Sequence, residues 1–260
     1  MNKRLLLIFL AIAVIAGGIW VYDWVLGDTL EASEPISAIP LETTAPASSL
    51  PPAEMESSAV DTEPIPSPEA DTGAESVAPE GNVMLYTIHQ AESQASFTIF
   101  EELNGVPTNV VGVTAQVAGE VSVDLADLSQ IRLGVIQVNA RTLATDQDRR
   151  NSAIRNRILL TDQYEFITFS PTQISELSGS AETGQTFTFN IQGDLTIRDI
   201  TRTVSFDASV MVESAQRLSG SATAVIAKSD FNLIVPSVPF VANVGEEVTL
   251  EIDFVLVPSS

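Results

Sequence analysis

The sequence predicts an all-β domain with one short inserted helix, preceded by an apolar N-terminal segment and an acidic linker. Three observations predict it: apolar and polar residues alternate over long stretches of the C-terminal two thirds, one stretch breaks that period, and composition shifts abruptly near residues 27 and 82. Each part follows from its own physics.

Lys3 and Arg4 precede an uninterrupted apolar run from Leu5 to Tyr22, which reaches Leu26 if Asp23 sits at an interface. A membrane-spanning helix needs roughly 20 such residues. The positive flank belongs on the cytoplasmic side, and Trp20, Tyr22 and Trp24 stand where the far interface falls. Val25-Leu26-Gly27 has the spacing of a signal-peptide cleavage site, but a signal core is only about 7–15 residues long. Residues 1–26 are therefore expected to be a retained single-pass anchor with the domain on the extracytoplasmic side, secreted only if that segment is cleaved. Residues 27–82 are rich in Pro, Ser, Ala, Thr and Glu and hold no Lys or Arg. Such a segment buries too little apolar area to offset its ordering entropy, and its acidic charges and prolines extend it. A disordered tether is expected there.

Residues 83–260 are long enough for one domain with a substantial core. In TFTFNIQGDLTIRD, Phe187, Phe189, Ile191, Gly193, Leu195 and Ile197 share one face, and polar residues share the other. That is the pattern of a half-buried antiparallel strand. It returns from Val204 to Val212 and from Val248 to Leu256, and in shorter form around Tyr86-Ile88, Phe97-Ile99, Gly119-Val123, Ile131-Leu133 and Ala222-Ile226. About eight strands result, with turn signals at Asn104-Gly105 and Ser178-Gly179. One-sided strands hide their apolar faces in a sandwich or in a barrel. Small inward residues (Gly193, Ala208, Gly220, Ala222, Ala224) favour an eight-stranded barrel with usable interior space. A fully packed sandwich is the competing architecture, and periodicity leaves the two level.

Between Thr145 and Leu160 the period becomes helical. Asp146 or Asp148 suits the cap, and Ala153, Ile154, Ile158 and Leu159 form one face. Arg149, Arg150, Arg155 and Arg157 fall mainly on the other, in a chain with 12 Lys+Arg against 34 Asp+Glu. The segment NLIVPSVPFVANVG, apolar but broken by Pro236 and Pro239, is not a regular central strand; it is expected to lie over one end of the sheet.

A net charge of −22 excludes nucleic acid as a partner. With no cysteine and the single histidine His89, thiolate sites and multi-histidine metal centres are excluded. No phosphate-binding or nucleophile-elbow motif occurs, and the acidic pair Asp146 and Asp148 lacks the rest of a calcium loop. No catalytic residue, metal or cofactor is assigned.

Five ordered blocks carry a family resemblance: YTIHQAESQASFTI, VVGVTAQVAGEVSVD, RNSAIRNRILLTDQYEFITFSP, FNIQGDLTIRDITRTVSF and AKSDFNLIVPSVPFVANVGEEVTLEIDF. Together they resemble the YceI-like proteins, a bacterial family of lipocalin-like barrels associated with polyisoprenoids and other long amphipathic lipids. Where family members commonly carry a histidine in the helix and a glycine in the following turn, this chain reads AIRNR and IRDIT. The resemblance implies an antiparallel eight-stranded barrel with an apolar cavity, and names Phe97, Ile99, Phe166, Phe187, Phe189, Leu195, Ile197, Phe206, Phe231 and Phe240 as lining candidates. Arg155 and Arg157 become headgroup candidates, since arginine suits phosphate or carboxylate. The partners implied are a lipid ligand, which is the only bound molecule expected, and the membrane through the N-terminal helix, with a homodimer left open. The alternative is a cell-envelope interaction module whose barrel is structural and whose loops contact a membrane protein.

Overall fold

The computed structural model describes residues 30–33, 36–41, 82–175, 177–237 and 241–259. The expected anchor, residues 1–26, and the lining candidate Phe240 lie outside the described residues. Among the described residues no helix is long and apolar enough to cross a membrane.

Alternation produces strands wherever it was read. In chain order they are β1 (Met84–Ile88), β2 (Gln94–Leu103), β3 (Val106–Thr114), β4 (Val117–Ala118), β5 (Glu120–Asp124), β6 (Asp127–Leu133), β7 (Ile136–Asn139), β8 (Phe166–Ile174), β9 (Thr186–Ile197), β10 (Ile200–Ser214), β11 (Arg217–Ala227), β12 (Val241–Ala242) and β13 (Glu247–Pro258). The described residues thus form thirteen strands in one sheet rather than the eight expected. The five not read as alternating strands are β3 and β8, nine residues each, four-residue β7, and β4 and β12 of two residues each, which are too brief to show a period.

The sheet is antiparallel and curls around its apolar face. β10 pairs with β9 from Ile200–Ile197 to Met211–Thr186 and with β11 on its other side. β13 follows β11 along its length, then divides its far edge between β2 (Val248 to Asp253) and β1 (Leu256 to Pro258). Beyond β2 lies β3, joined through Asn104-Gly105, both with positive φ (52° and 78°), as a tight hairpin of this sequence requires. A bridge between Val113 and Ala144, together with β4 on β7, brings this edge round toward β8.

The curled sheet has two ends. The helix end carries α1 (Asp148–Ala153), which continues as a π turn over Ile154–Leu159. It also carries the Arg198-Asp199 turn between β9 and β10, and a 3₁₀ turn at Lys228–Phe231 with the proline loop behind it. The expected acidic cap is not used: the N-cap is Gln147 without a side-chain bond. Asp146 pairs with Arg150 instead, and buried Asn151 fixes the turn by accepting from Thr145 N–H and its hydroxyl (2.7 Å each). At the distal end lie the β10–β11 turn and the β8–β9 loop. The latter is tied to the β5–β6 hairpin by Leu128 N–H to Gly179 O (2.9 Å) and Ala181 N–H to Leu125 O (2.7 Å).

The small inward residues serve packing more than empty space. A Cβ on Gly193 would stand 2.6 Å from the Phe169 ring and 2.6 Å from the Ser170 carbonyl, and one on Gly220 would stand 2.2 Å from the Ser209 carbonyl. These glycines let phenylalanines and neighbouring backbone close over them.

Part of the expected linker is ordered against the domain. Leu30 N–H donates to Asp162 (2.8 Å), Ser33 N–H and its hydroxyl donate to Glu165 (2.5 and 2.9 Å), and Leu41 N–H donates to Glu120 (2.9 Å). Gln90 donates to Ile36 O (2.7 Å), and Ile36 is buried. Composition suggested disorder because it averages over the whole linker, whereas these residues find specific acceptors on the sheet.

Candidate apolar binding cavity

The inward faces of the strands enclose two chambers. The distal one, about 120 Å³, is lined by apolar side chains alone, among them Val121, Leu128, Phe187, Phe189, Val210 and Phe254. The second, about 190 Å³, lies toward the helix end, lined by Phe97, Ile99, Leu195, Ile197, Ile154, Ile158 and Leu159 and closed outward by Leu233, Val235 and Val244 of the proline loop. Ile136, Phe169, Phe206 and Ile252 line both chambers. They form a wall between them, in which the rings of Phe169 and Phe206 meet edge to face with centroids 4.8 Å apart. Such contacts add about 0.5–1.5 kcal/mol beyond the area buried.

The ten lining candidates fall in three groups. Phe97, Ile99, Phe187, Phe189, Leu195, Ile197 and Phe206 line a chamber. Phe231 is in the core, 1% exposed, without facing either chamber, and Phe166 is half-buried on the other face of β8. Phe240 is outside the described residues. Sequence reasoning missed Phe169 and Ile136, the central pair of the wall, which stand opposite each other where β7 meets β8. The phase of FITFSP was ambiguous because Phe166 and Phe169 fall on opposite faces of a strand and Ile167 supports the second. A count from Ile167, inward with Phe169, would have found it.

Only the second chamber has polar residues in its lining: Arg150, Lys228 and Glu101 at the helix end, and Ser96 and Glu251, which pair across β2 and β13 beside the wall residue Ile252. Arg155 and Arg157, the headgroup candidates, share the helix but do not line the chamber; both are half-buried. Arg150 does, because it lies four and eight residues before Ile154 and Ile158 and so shares their face. Its guanidinium holds Glu101, which is 7% exposed, at 3.0 Å. Lys228 holds Glu246 at 2.5 Å. Hydrogen bonds from Lys228 and from Ser229, with the lysine charge, bring the Glu246 carboxyl down to about 2. Arg198 clamps this end, its Nη1 donating to Ile158 O (3.3 Å) and to Asn232 O (3.4 Å). His89 is outside the cavity lining, with its Nδ1 3.0 Å from Glu92 on the surface. Among the described residues no group of three acidic or histidine side chains is placed to hold a metal.

A curled antiparallel sheet around an apolar interior, with one short helix, defines an all-β half-barrel fold. A protein-family model, the YceI-like domain, matches residues 86–256, and the chain belongs to that family. No curated protein matches. Among solved structures, a polyisoprenoid binding domain from Saccharophagus degradans implicated in plant cell wall breakdown is 12% identical with a TM-score of 0.55, covering 68% of this chain and 99% of that one. BcnA from Burkholderia cenocepacia is 20% identical with a TM-score of 0.51, covering 65% and 98%. These likenesses concern the fold.

Proposed function

We propose that the domain is a binding protein for one long-chain isoprenoid or similar amphipathic lipid, carrying, storing or scavenging it outside the cytoplasm while residues 1–26 anchor it in the membrane. The observation that carries this is the composition of the cavity: a distal chamber lined by apolar residues alone, and a second chamber whose Arg150, Lys228 and Glu101 stand at the helix end. Apolar ligand surface leaving water gains about 25 cal/mol per Å², and the polar end gives an amphiphile its direction. Family membership and the shared fold of the Saccharophagus degradans polyisoprenoid binding domain support the ligand class. Each chamber is smaller than the ~300–1,000 Å³ of ordinary ligand sites. A long chain therefore spans both, and the Phe169–Phe206 wall turns aside as it enters. Arg150 and Lys228 take the role of headgroup contacts that Arg155 and Arg157 were expected to fill.

Native mass spectrometry of gently purified protein, with extraction of any bound lipid, tests this reading. A prenyl-type lipid should be retained, and Ala222→Phe, which fills the distal chamber, should lose the long-chain species. A protein that retains no lipid and takes up no fluorescent prenyl probe would overturn it.

A further inference from the structure

The scarce positive charge of this chain is placed at one end. Apart from Lys3 and Arg4, ten of its 12 Lys and Arg residues lie in the domain, and eight of these are at the helix end: Arg141, the four arginines of α1 and its π turn, Arg198, Arg202 and Lys228. Only Arg132 on β6 and Arg217 at the distal turn lie elsewhere. The same end carries at least as many carboxylates, among them Asp146, Asp148, Asp162, Glu165, Asp199, Asp230, Glu246 and Glu247, so it is not net positive. Carboxylates hold Arg141, Arg150, Arg198 and Lys228, and Arg149, Arg155 and Arg202 form no ion pair among the described residues. Leu30 (60%) and Ile234 (77%) are among the large apolar side chains exposed at the same end, with Val106 of the β2–β3 hairpin.

The docked N-terminal segment supplies the second observation. It starts at the helix end, where Leu30 N–H meets Asp162 and Ser33 meets Glu165, and runs down the sheet to Leu41 beside Glu120. Leu30 is four residues beyond Leu26, the last residue of the apolar N-terminal run. Four residues reach at most about 14 Å. A free tether of the length between residues 27 and 82 would instead allow a separation on the order of 40 Å. The docked residues precede residue 42, so an anchor at residues 1–26 is joined to the domain through the chain between Leu26 and Leu30 and not through residues 42–81.

We propose that the helix end rests against the outer surface of the membrane, with Arg149, Arg155 and Arg202 meeting anionic phospholipid headgroups and Leu30 and Ile234 seated between them. This rests on reading residues 1–26 as an anchor. It turns the more polar end of the cavity toward the bilayer, so that a lipid passes between bilayer and cavity without crossing water.

The chain has no cysteine, so single labels report position cleanly. The full chain carrying Ile234→Cys or Gln216→Cys is labelled with a donor fluorophore and reconstituted in vesicles of phosphatidylcholine and phosphatidylglycerol with a headgroup-labelled acceptor. The 12-residue β9 separates the two ends by about 35–40 Å, so transfer from position 234 should exceed that from position 216 at least about twofold. Leu30→Pro with Ser33→Pro removes two docking N–H donors and should abolish the difference. In vesicles of phosphatidylcholine alone, transfer from position 234 should fall. Equal transfer from both positions in the unmodified chain would overturn the proposal while leaving the anchor intact. Transfer indifferent to phosphatidylglycerol would overturn the headgroup contact. Protein that fails to float with the vesicles would overturn the anchor reading, and the proposal with it.

Discussion

Phe169 and Phe206 show how two side chains divide one cavity. Both are buried, at 7% and 6% exposure, and truncating a buried phenylalanine to alanine ordinarily costs about 3–5 kcal/mol. Phe169→Ala should therefore destabilise the lipid-free protein by that amount in urea unfolding. It should also join the chambers and raise the share of longer-chain lipid retained in native mass spectra; unchanged chain lengths would show that the wall does not select them. Arg198 offers a cleaner case. It holds a left-handed backbone (φ 59°) while donating to the carbonyls of Ile158 and Asn232. Arg198→Ala loses the clamp and keeps the strained backbone, whereas Arg198→Gly relieves a strain of about 1–2 kcal/mol. Glycine should thus be the more stable replacement by about 1 kcal/mol, read as a shift in urea midpoint. The structure puts the left-handed residue of this turn at Arg198, one place before Asp199.

At the scale of elements, legibility followed the length of the period. The strands β9, β10 and β13, of 12 to 15 residues, were plain in the sequence because each repeats its apolar face many times. The helix was legible as a break in that period, with Ile154, Ile158 and Leu159 facing the cavity as expected. What was not legible was long-range: β4 and β12 are too short to show a pattern, and β7 reads as strand only once β8 lies beside it. The docking of Leu30–Leu41 was hidden for the same reason, since its acceptors come from Glu120, Asp162 and Glu165, far along the chain. That docking has its own pH dependence. Burial raises the Glu165 carboxyl, but bonds from Ser33 and Asn139 and the charge of Arg141 outweigh it, and the net shift is downward. A carboxylate held below its ordinary value near 4.5 contributes docking stability that is complete above that value and is lost as pH falls through the lowered one. Hydrogen exchange at the Ser33 amide should be protected at neutral pH and speed up as pH falls below the ordinary carboxylate value near 4.5, beyond its intrinsic pH trend. In Glu165→Gln, Ser33 should be poorly protected at every pH.

Across the whole molecule, a cavity of this kind links ligand to stability. A ligand present at 100 times its dissociation constant adds about 2.7 kcal/mol to a protein that binds it only when folded. For a domain of this size that corresponds to a rise in melting temperature of about 5–10 °C. Delipidated protein should melt lower by that interval and recover it with added prenyl lipid, but not with a soluble anion such as phosphate. Recovery with phosphate alone would move the binding energy from the cavity to the arginines.

The segment from Leu30 to Leu41 also changes what a cut in the chain would do. On the anchored reading proposed above, a protease acting between residues 42 and 81 severs the covalent path from anchor to domain, while the hydrogen bonds to Asp162, Glu165 and Glu120 remain between the two pieces. Cleavage alone is then a silent nick, and shedding needs a second event, such as acid, that empties Glu165 of its charge. A specific protease site placed in that stretch should give vesicles that keep the domain after cutting at neutral pH and release it in acid well below the ordinary carboxylate range.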